Sequence, residues 1–345
     1  MSRYLGRREF LKHLLLWSAA GSALGLAGCG TGSGPEPSPA VRPSEAAVPS
    51  PTPETEAGPA PLAPATPAGT APYPDVAVAR GPGASPAELT RRAIAALGGI
   101  ERFVKPGHDV IVKPNICNAY HGPEYASTTN PEVVATIVSL CLAAGARRVR
   151  VMDYPFGGTP QAAYEKSGIA SAVAAAGGQM EVMNRMKYRA TPIPAGRRIK
   201  EWQVYGDILD ADVVINVPIA KDHSSARLTL GMKNLMGVVE NRTGFHARGL
   251  HQCIADLNTL VRPQLTVVDA VRILVDNGPT GGNLDDVRQT DTVIASTDVV
   301  AADAYAATLF GLQGRDIGYI RLGAEMGLGR LDLDALKIEE ITVEA

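Results

Sequence analysis

Short apolar runs alternate with amphipathic stretches over residues 75–345, and this alternation constrains the fold more than any other feature. Six runs predict buried strands, at 75–80, 109–114, 147–153, 213–216, 265–270 and 292–296. Amphipathic stretches predict helices at 86–97, 131–144 and 298–309. Such alternation is typical of an α/β fold with a mostly parallel sheet and helices on both faces. The irregular, strand-like stretch 180–205 allows a second small lobe.

Composition excludes several classes of partner and cofactor. The formal net charge is -2, from 33 basic and 35 acidic side chains. This balance lacks the basic footprint of a nucleic-acid-binding protein. After Cys29 the cysteines are Cys117, Cys141 and Cys253, and no CxxC pair occurs. We therefore expect no iron–sulfur motif in this chain. Two of the three could instead pair as a disulfide in an exported protein.

The N-terminus resembles an export and lipidation signal. Arg7 and Arg8, with Phe10 close behind, resemble a twin-arginine motif, and the apolar run that follows is too short to span a bilayer. The sequence "LAGC" ending at Cys29 resembles a lipobox. The resemblance implies a signal peptide over 1–28, lipidation of Cys29 and an exported lipoprotein. That protein would be anchored in the membrane, on the outer side of the cytoplasmic membrane or in the cell envelope.

A Pro/Ala-rich segment separates this signal from the folded part. Residues 29–74 cannot bury enough apolar area to offset the entropy of ordering, so we expect a tether. Twin-arginine substrates cross the membrane folded, and this favours a cofactor inserted beforehand. The cofactor itself is unknown, and a divalent metal is one candidate.

Polar or ionisable side chains follow five of the predicted strands where each ends. In sheets of this class, ligands bind beyond the carboxyl ends of the strands. We therefore expect these side chains to share one cleft. They are Lys113, Asn115, Asp153, Asn216, Lys221, His223, Asp269, Ser296, Thr297 and Asp298.

Three residues are candidates for catalysis. His223 could act as a general base or a metal ligand, since imidazole suits both roles near neutral pH. Lys233 lies among apolar residues, where burial would lower its pKa and make it a nucleophile or a covalent anchor. Asp153 follows a strand beside them. The alternatives are a structural histidine and a lysine that reaches out to solvent.

Other side chains are candidates for binding. A carboxylate or phosphate could be held by residues near the strand ends, which are Lys113, Asn115, Lys221, Asn234 and Asp269. His246 is a candidate metal ligand, with plain solvent exposure as the alternative. The glycine-rich segment 278–282 could present N–H groups to an anion, although a turn is the simpler interpretation.

Residues 75–345 resemble the DUF 362 family, a domain of unknown function. The matching stretches are "VIVKPNI", "TTNPEVVATIVSLCLAAGA", "DVVINVPIAKDHSSARLTLGMKNLMGVV", "GLHQCIADLN", "RPQLTVVDAV", "GPTGG" and "ASTDVVAADA". The resemblance implies an α/β domain often found beside ferredoxin modules, which this chain lacks. The resemblance does not indicate which reaction, if any, the protein catalyses.

A second similarity concerns spacing. His223, Gly231 and Lys233 keep the H-x7-G-x-K spacing of nickel-pincer lactate racemases, in which the lysine anchors the cofactor. The run 228–230 departs from the racemase pattern, and a second catalytic histidine has no counterpart here.

Three functions therefore stay open. The first is an exported, lipid-anchored enzyme that acts on a small anionic molecule with a metal or cofactor. The second is a tethered binding protein without turnover, and the third is an accessory subunit with a redox partner protein.

Overall fold

The computed structural model describes residues 72–345, and most of its strands join one sheet. The strands are β1 Val76–Arg80, β2 Asp109–Pro114, β3 Arg148–Val151, β4 Gln179–Met180, β5 Tyr188–Pro192, β6 Glu201–Tyr205, β7 Val213–Val217, β8 Ile219–His223, β9 Arg227–Thr229, β10 Leu265–Leu274, β11 Val287–Ser296 and β12 Ile338–Thr342. The signal peptide, Cys29 and nearly all of the tether lie outside the described residues.

Helices connect the strands, and four of them begin at a capping side chain. They are α1 Pro86–Ala96, α2 Pro131–Ala143, α3 Pro160–Lys166, α4 Ile169–Ala175, α5 Gly206–Asp210, α6 Gly231–Asn234, α7 Thr243–Ala247, α8 Leu250–Leu260, α9 Val299–Thr308 and α10 Gly318–Glu325. Asn130 starts α2 as predicted, since its side chain accepts the Glu132 N–H at 2.9 Å and Pro131 takes the first helical position. No helix within residues 72–345 is long and apolar enough to cross a membrane.

The main sheet has the order β12-β1-β11-β10-β7-β2-β3-β4. From β10 to β4 every neighbouring pair is parallel, whereas β11 runs antiparallel to both β10 and β1. The predicted α/β fold with a mostly parallel sheet is confirmed. The polarity of β11 was not visible in its sequence, because a buried apolar strand has the same composition in either direction.

Each face of the sheet is covered by helices, because successive side chains of a strand point to opposite faces. Val110 and Val112 of β2 pack with α1, α2 and α4, while Ile111 between them packs with α8, α9 and α10 on the other face. The strand-like stretch 180–205 contains β5 and β6, which form a separate two-stranded sheet. Asp256 of α8 holds the loop of that sheet by accepting three backbone N–H groups, from Arg197 to Ile199.

A hairpin that the sequence did not predict follows β7. β8 pairs with β9 in antiparallel register, with Lys221 opposite Thr229 and His223 opposite Arg227. β9 leads directly into α6. The hairpin reverses the chain between Lys221 and Thr229, and the side chains of Lys221 and Lys233 line the same cavity.

Candidate functional site

A cavity of about 880 Å³ is lined by residues that follow β2 and β3 and by residues of β8, α6 and α7. This volume is in the range of small-molecule sites. Seven of the residues predicted for the site line it: Asn115, Asp153, Lys221, His223, Lys233, Asn234 and His246. The structure therefore brings together side chains that are up to 131 positions apart in the chain, from Asn115 to His246.

A fully bonded ion pair lies beneath this cavity. Lys113 is 0% exposed, and its ammonium donates to Asp153 Oδ1 at 2.7 Å, to Asn234 Oδ1 at 3.1 Å and to the Pro114 carbonyl at 2.8 Å. A lysine has three N–H donors, so none remains for a ligand. Asp153 Oδ2 accepts the Ile116 N–H at 2.7 Å. We call Lys113, Asp153 and Asn234 the platform.

Asn234 ties the platform to two strands. Its Nδ2 donates to the Lys113 carbonyl at 3.2 Å and to Asn216 Oδ1 at 2.8 Å, and its Oδ1 also accepts from Asn115 Nδ2 at 3.1 Å. All of its hydrogen-bonding capacity is used inside the protein. Asn234 was predicted to bind a ligand, and its contacts instead fix α6 against β2 and β7.

Gly237 lies directly against the platform. A Cβ at this position would meet Asp153 Oδ1 at 2.0 Å and Lys113 Nζ at 2.7 Å, both too close for any side chain. Glycine is therefore required here by close approach.

Asp303 of α9 holds the turn that carries Lys233. Its Oδ1 accepts the Gly231 N–H at 2.6 Å and its Oδ2 the Met232 N–H at 2.8 Å. Burial raises the pKa of Asp303 to about 8, against the opposing effect of these two N–H groups. Sequence reasoning missed this residue. The available signal was an acidic side chain within the apolar segment "VVAADAYAA".

Lys233 differs from the other lysines of the site. It lines the cavity, and among residues 72–345 no acceptor lies within hydrogen-bonding distance of its Nζ. Burial lowers the pKa of Lys233 to about 7, and the positive charge of Lys221 adds to this shift. The pKa of Lys233 is affected by the charges of Lys221, Cys117, Arg242 and Lys113. In turn, Lys233 lowers the pKa values of three histidines, His223, His246 and His251.

Lys221 and Cys117 meet at one carbonyl beside the cavity. Lys221 Nζ donates to the Pro279 carbonyl at 3.0 Å and to the Ser127 carbonyl at 2.6 Å, which leaves one donor. Cys117 Sγ donates to the same Pro279 carbonyl at 3.3 Å. The segment 278–282 therefore offers an acceptor to the site. Cys117, Cys141 and Cys253 are all free thiols, so no disulfide joins them.

His223 is a neutral hydrogen-bond donor in this geometry. Its Nδ1 accepts the N–H groups of Ser225 at 3.1 Å and Ala226 at 3.3 Å, so we assign the ring proton to Nε2. Burial lowers the pKa of His223 to about 3, and Lys233 contributes further. A general base or metal ligand would need a free lone pair at Nε2. Because the backbone N–H groups occupy Nδ1, the ring proton stays on Nε2, and Nε2 can donate a hydrogen bond to an oxygen atom.

The charge of the cavity is positive. Arg242 and Arg185 line it with Lys221, and Glu240 is the acidic lining residue other than Asp153 of the platform. Arg242 is anchored by donating to the Tyr154 carbonyl at 2.8 Å and lies over the Tyr154 ring. Because Asp153 is neutralised by Lys113, the cavity favours an anion.

Two buried polar atoms of the lining have no partner in the part of the chain that the structure describes. Asn115 Oδ1 and Thr229 Oγ1 are shielded from solvent and make no hydrogen bond. Buried polar groups are almost always satisfied. These two atoms therefore mark positions where a ligand or water would bind.

A family model described as "Domain of unknown function (DUF362)" matches residues 110–308, more than half of the chain. The chain belongs to the DUF362 family. The matched region runs from β2 to the end of α9, so the platform, Lys233 and Asp303 all lie within the DUF362 domain.

The relatives of this DUF362 protein are distant. Thylakoid-associated protein sll1697 of Synechocystis sp. is 29% identical over 252 residues, which are 69% of this chain and 74% of the relative. The lactate racemase apoprotein of Thermoanaerobacterium thermosaccharolyticum is a solved structure with 12% identity and a TM-score of 0.41. The match covers 64% of this chain and 54% of that chain.

Several predicted residues do not reach the cavity. Asp269 was expected at the carboxyl end of its strand, but β10 continues to Leu274 and places Asp269 in mid-strand. There it is 1% exposed and accepts the N–H groups of Asn130 and Val271. Its environment is buried backbone, and burial raises the pKa of Asp269 to about 6.

The expectation that five strands end in one cleft was wrong for β11. Because β11 is antiparallel to β10, Ser296 pairs with Thr266 at the beginning of β10. Ser296 and the next two residues do not line the cavity. Asp298 caps α9 instead, by accepting the Ala301 N–H at 2.9 Å.

The residues of the site do not fit a resident metal. No three His, Cys, Asp or Glu side chains between residues 72 and 345 are grouped so that they could hold one ion. His246 is an exposed residue of α7 at the cavity, and the Nδ1 of His223 is occupied. We derive no chemical step through a metal.

Proposed function

We propose that this protein is an exported, lipid-anchored enzyme that binds a small organic anion in the cavity and uses the Lys233 amine to act on it. The observation that carries the proposal is the Lys233 Nζ, which has no acceptor in the part of the chain that the structure describes. Lys233 is only partly exposed, and a lysine held without a partner among other cations costs stability. Its retention beside other cations is understandable if an anionic ligand supplies the missing partner.

The surrounding groups support binding of an anion. Lys221 keeps one free donor, and Arg242 is held rigidly by two backbone carbonyls. His223 offers an Nε2–H to a ligand oxygen. The platform beneath is fully bonded, so it can fix the position of Lys233 without competing for the ligand. Such preorganisation lowers the entropic cost of binding.

Export and lipidation are part of the proposal because of the N-terminal sequence. The paired arginines and the "LAGC" sequence stand in the order and spacing of a lipoprotein signal. The enzyme would then act outside the cytoplasmic membrane, tethered through Cys29.

Calorimetric titration with pyruvate and with propionate tests the proposal. At pH 6 we expect saturable binding of both carboxylates by the intact chain. Lys233→Met should weaken it about tenfold to a hundredfold, the effect of losing one charge-assisted hydrogen bond. Arg147→Met is the matched control, because Arg147 is an exposed cation that precedes β3 at its other end. Equal binding by the Lys233 variant, or no binding by any protein, would contradict the proposal.

A further inference from the structure

Three lysines approach the cavity, and their nitrogen atoms have very different surroundings. Lys113 Nζ has three protein acceptors and Lys221 Nζ has two. Lys233 Nζ has none among the described residues. Lys233 is partly exposed at the cavity, beside the cations Lys221 and Arg242. Nearby positive charge without an acceptor favours the neutral amine, whose free lone pair is nucleophilic.

The neighbours of Lys233 define what the amine can meet. Lys221 and Arg242 supply positive charge for a carboxylate, and the Nε2–H of His223 can donate to a second oxygen. A ligand that satisfies these cations and also reacts with the Lys233 amine needs a carboxylate next to a carbon that a nitrogen nucleophile can attack. A 2-oxo carboxylate has this structure.

We propose that Lys233 forms an imine with a small 2-oxo carboxylate bound in the cavity. This inference rests on the proposed function, since it names the class of anion and the bond that the amine makes. The carbonyl carbon lies next to the carboxylate, so a cation that holds the carboxylate also orients the carbon that Lys233 attacks.

The step balances without an oxidant or reductant. The Nζ lone pair attacks the carbonyl carbon, and a carbon–nitrogen bond forms while the carbonyl oxygen becomes a hydroxyl. Loss of that oxygen with the two amine protons gives water and the imine. His223 Nε2–H can stabilise the oxygen during attack. The unpartnered Thr229 Oγ1 and Asn115 Oδ1 are available to hydrogen-bond the intermediate hydroxyl.

Borohydride trapping tests the inference. The intact chain is incubated at pH 8 with pyruvate and sodium borohydride, and the stable secondary amine is located by peptide mass analysis. We expect the adduct on Lys233, in about tenfold or greater excess over Lys221, whose ammonium is held by two carbonyls. Acetone, which lacks the carboxylate, should label Lys233 about tenfold less. Lys233→Arg should abolish the adduct at this position, because a guanidinium forms no imine under these conditions.

The outcomes separate the two proposals. Saturable pyruvate binding without an adduct on Lys233 would overturn the imine and leave the proposed function standing. Labelling of Lys221 or exposed lysines at the same level would also overturn it. Absence of any carboxylate binding would remove both. The position of the adduct is read on the unaltered protein, so the test does not depend on how a variant folds.

Discussion

Lys113, Lys221 and Lys233 show how one residue type acquires three roles through its surroundings. The three differ in acceptors: three for Lys113, two for Lys221 and none among the described residues for Lys233. The sequence predicted all three for the site, because each lies near a strand end or a glycine-rich turn. The sequence could not show which lysine lacks an acceptor, since the hydrogen-bond partners come from segments remote in the chain.

Lys233→Met is expected to stabilise the protein at neutral pH. The pKa of Lys233 falls from 10.5 to about 7 on folding, so the native state binds fewer protons than the unfolded state between these values. Burial of Lys233 therefore lowers the free energy of unfolding by its full amount below pH 7, and this loss disappears as the pH rises to 10.5. At pH 7 we expect a gain of roughly 2 to 4 kcal/mol in the free energy of unfolding. Urea denaturation at pH 7 and pH 10 measures it.

Lys166→Met is the control for that experiment, because Lys166 is an exposed residue of α3. Its free energy of unfolding should change by less than about 0.5 kcal/mol at either pH. A Lys233 variant that is no more stable than the wild type at pH 7 would show that the amine keeps its ordinary pKa.

At the scale of elements, the sequence predicted six of the twelve strands and three of the ten helices that residues 72–345 form. Periodic apolar residues fixed the helices to within two residues of their observed ends, and β2 was predicted with both of its ends. The β8–β9 hairpin was missed because its strands carry Lys221, Asp222 and His223, which suggest a loop. These side chains are tolerated in strands because each finds a backbone partner in a neighbouring segment.

Gly237→Ala should disrupt the platform. The added methyl group would overlap Asp153 Oδ1 and separate it from Lys113. Breaking a buried ion pair costs about 3 to 5 kcal/mol. Urea denaturation should show a loss of this size, and Gly311→Ala is the control. Gly311 has nothing within 4 Å of a new Cβ, so only its φ of +70° adds strain of roughly 1 to 2 kcal/mol. Equal losses in the two variants would argue against the platform.

Asp303→Ala should weaken pyruvate binding although Asp303 does not line the cavity. The change leaves the N–H groups of Gly231 and Met232 buried without an acceptor, at a cost of roughly 2 to 4 kcal/mol. We expect α6 to shift and Lys233 with it, seen as a lower affinity in calorimetry. Ser85→Ala removes the cap of α1, a helix without residues in the cavity. It should lower stability by about 1 kcal/mol and leave the affinity unchanged.

On the scale of the whole molecule, parallel order places the candidate site at one end of the main sheet. β2, β3 and β7 are parallel neighbours, and the residues that follow β2 and β3 line the cavity together with residues of β8. The sequence predicted this convergence for β2 and β3, whereas Asn216 of β7 is buried and does not line the cavity. It failed for β10 and β11, because the length of one and the direction of the other depend on pairing between distant segments.

Cys29→Ser is expected to abolish lipidation. The change removes the sulfur that the lipobox resemblance marks for acylation. In a bacterial host that processes lipoproteins, radiolabelled palmitate should enter the wild-type chain and be absent from the variant. Cys253→Ser is the control, since Cys253 is a buried thiol of α8. Label that persists in the Cys29 variant, or is missing from the wild type, would contradict a lipid anchor at this position.

The position of β1 has a mechanical consequence. The strand is the first of the sheet in the chain, yet it lies inside the sheet, paired over five residues with β11 and five with β12. A force applied along the axis of β1 through the chain ahead of Val76 would load both ladders in shear. All of those hydrogen bonds must then yield together instead of opening one by one. A domain pulled from its N-terminal side would therefore hold its fold, and keep its cavity, under loads that would unzip an edge strand.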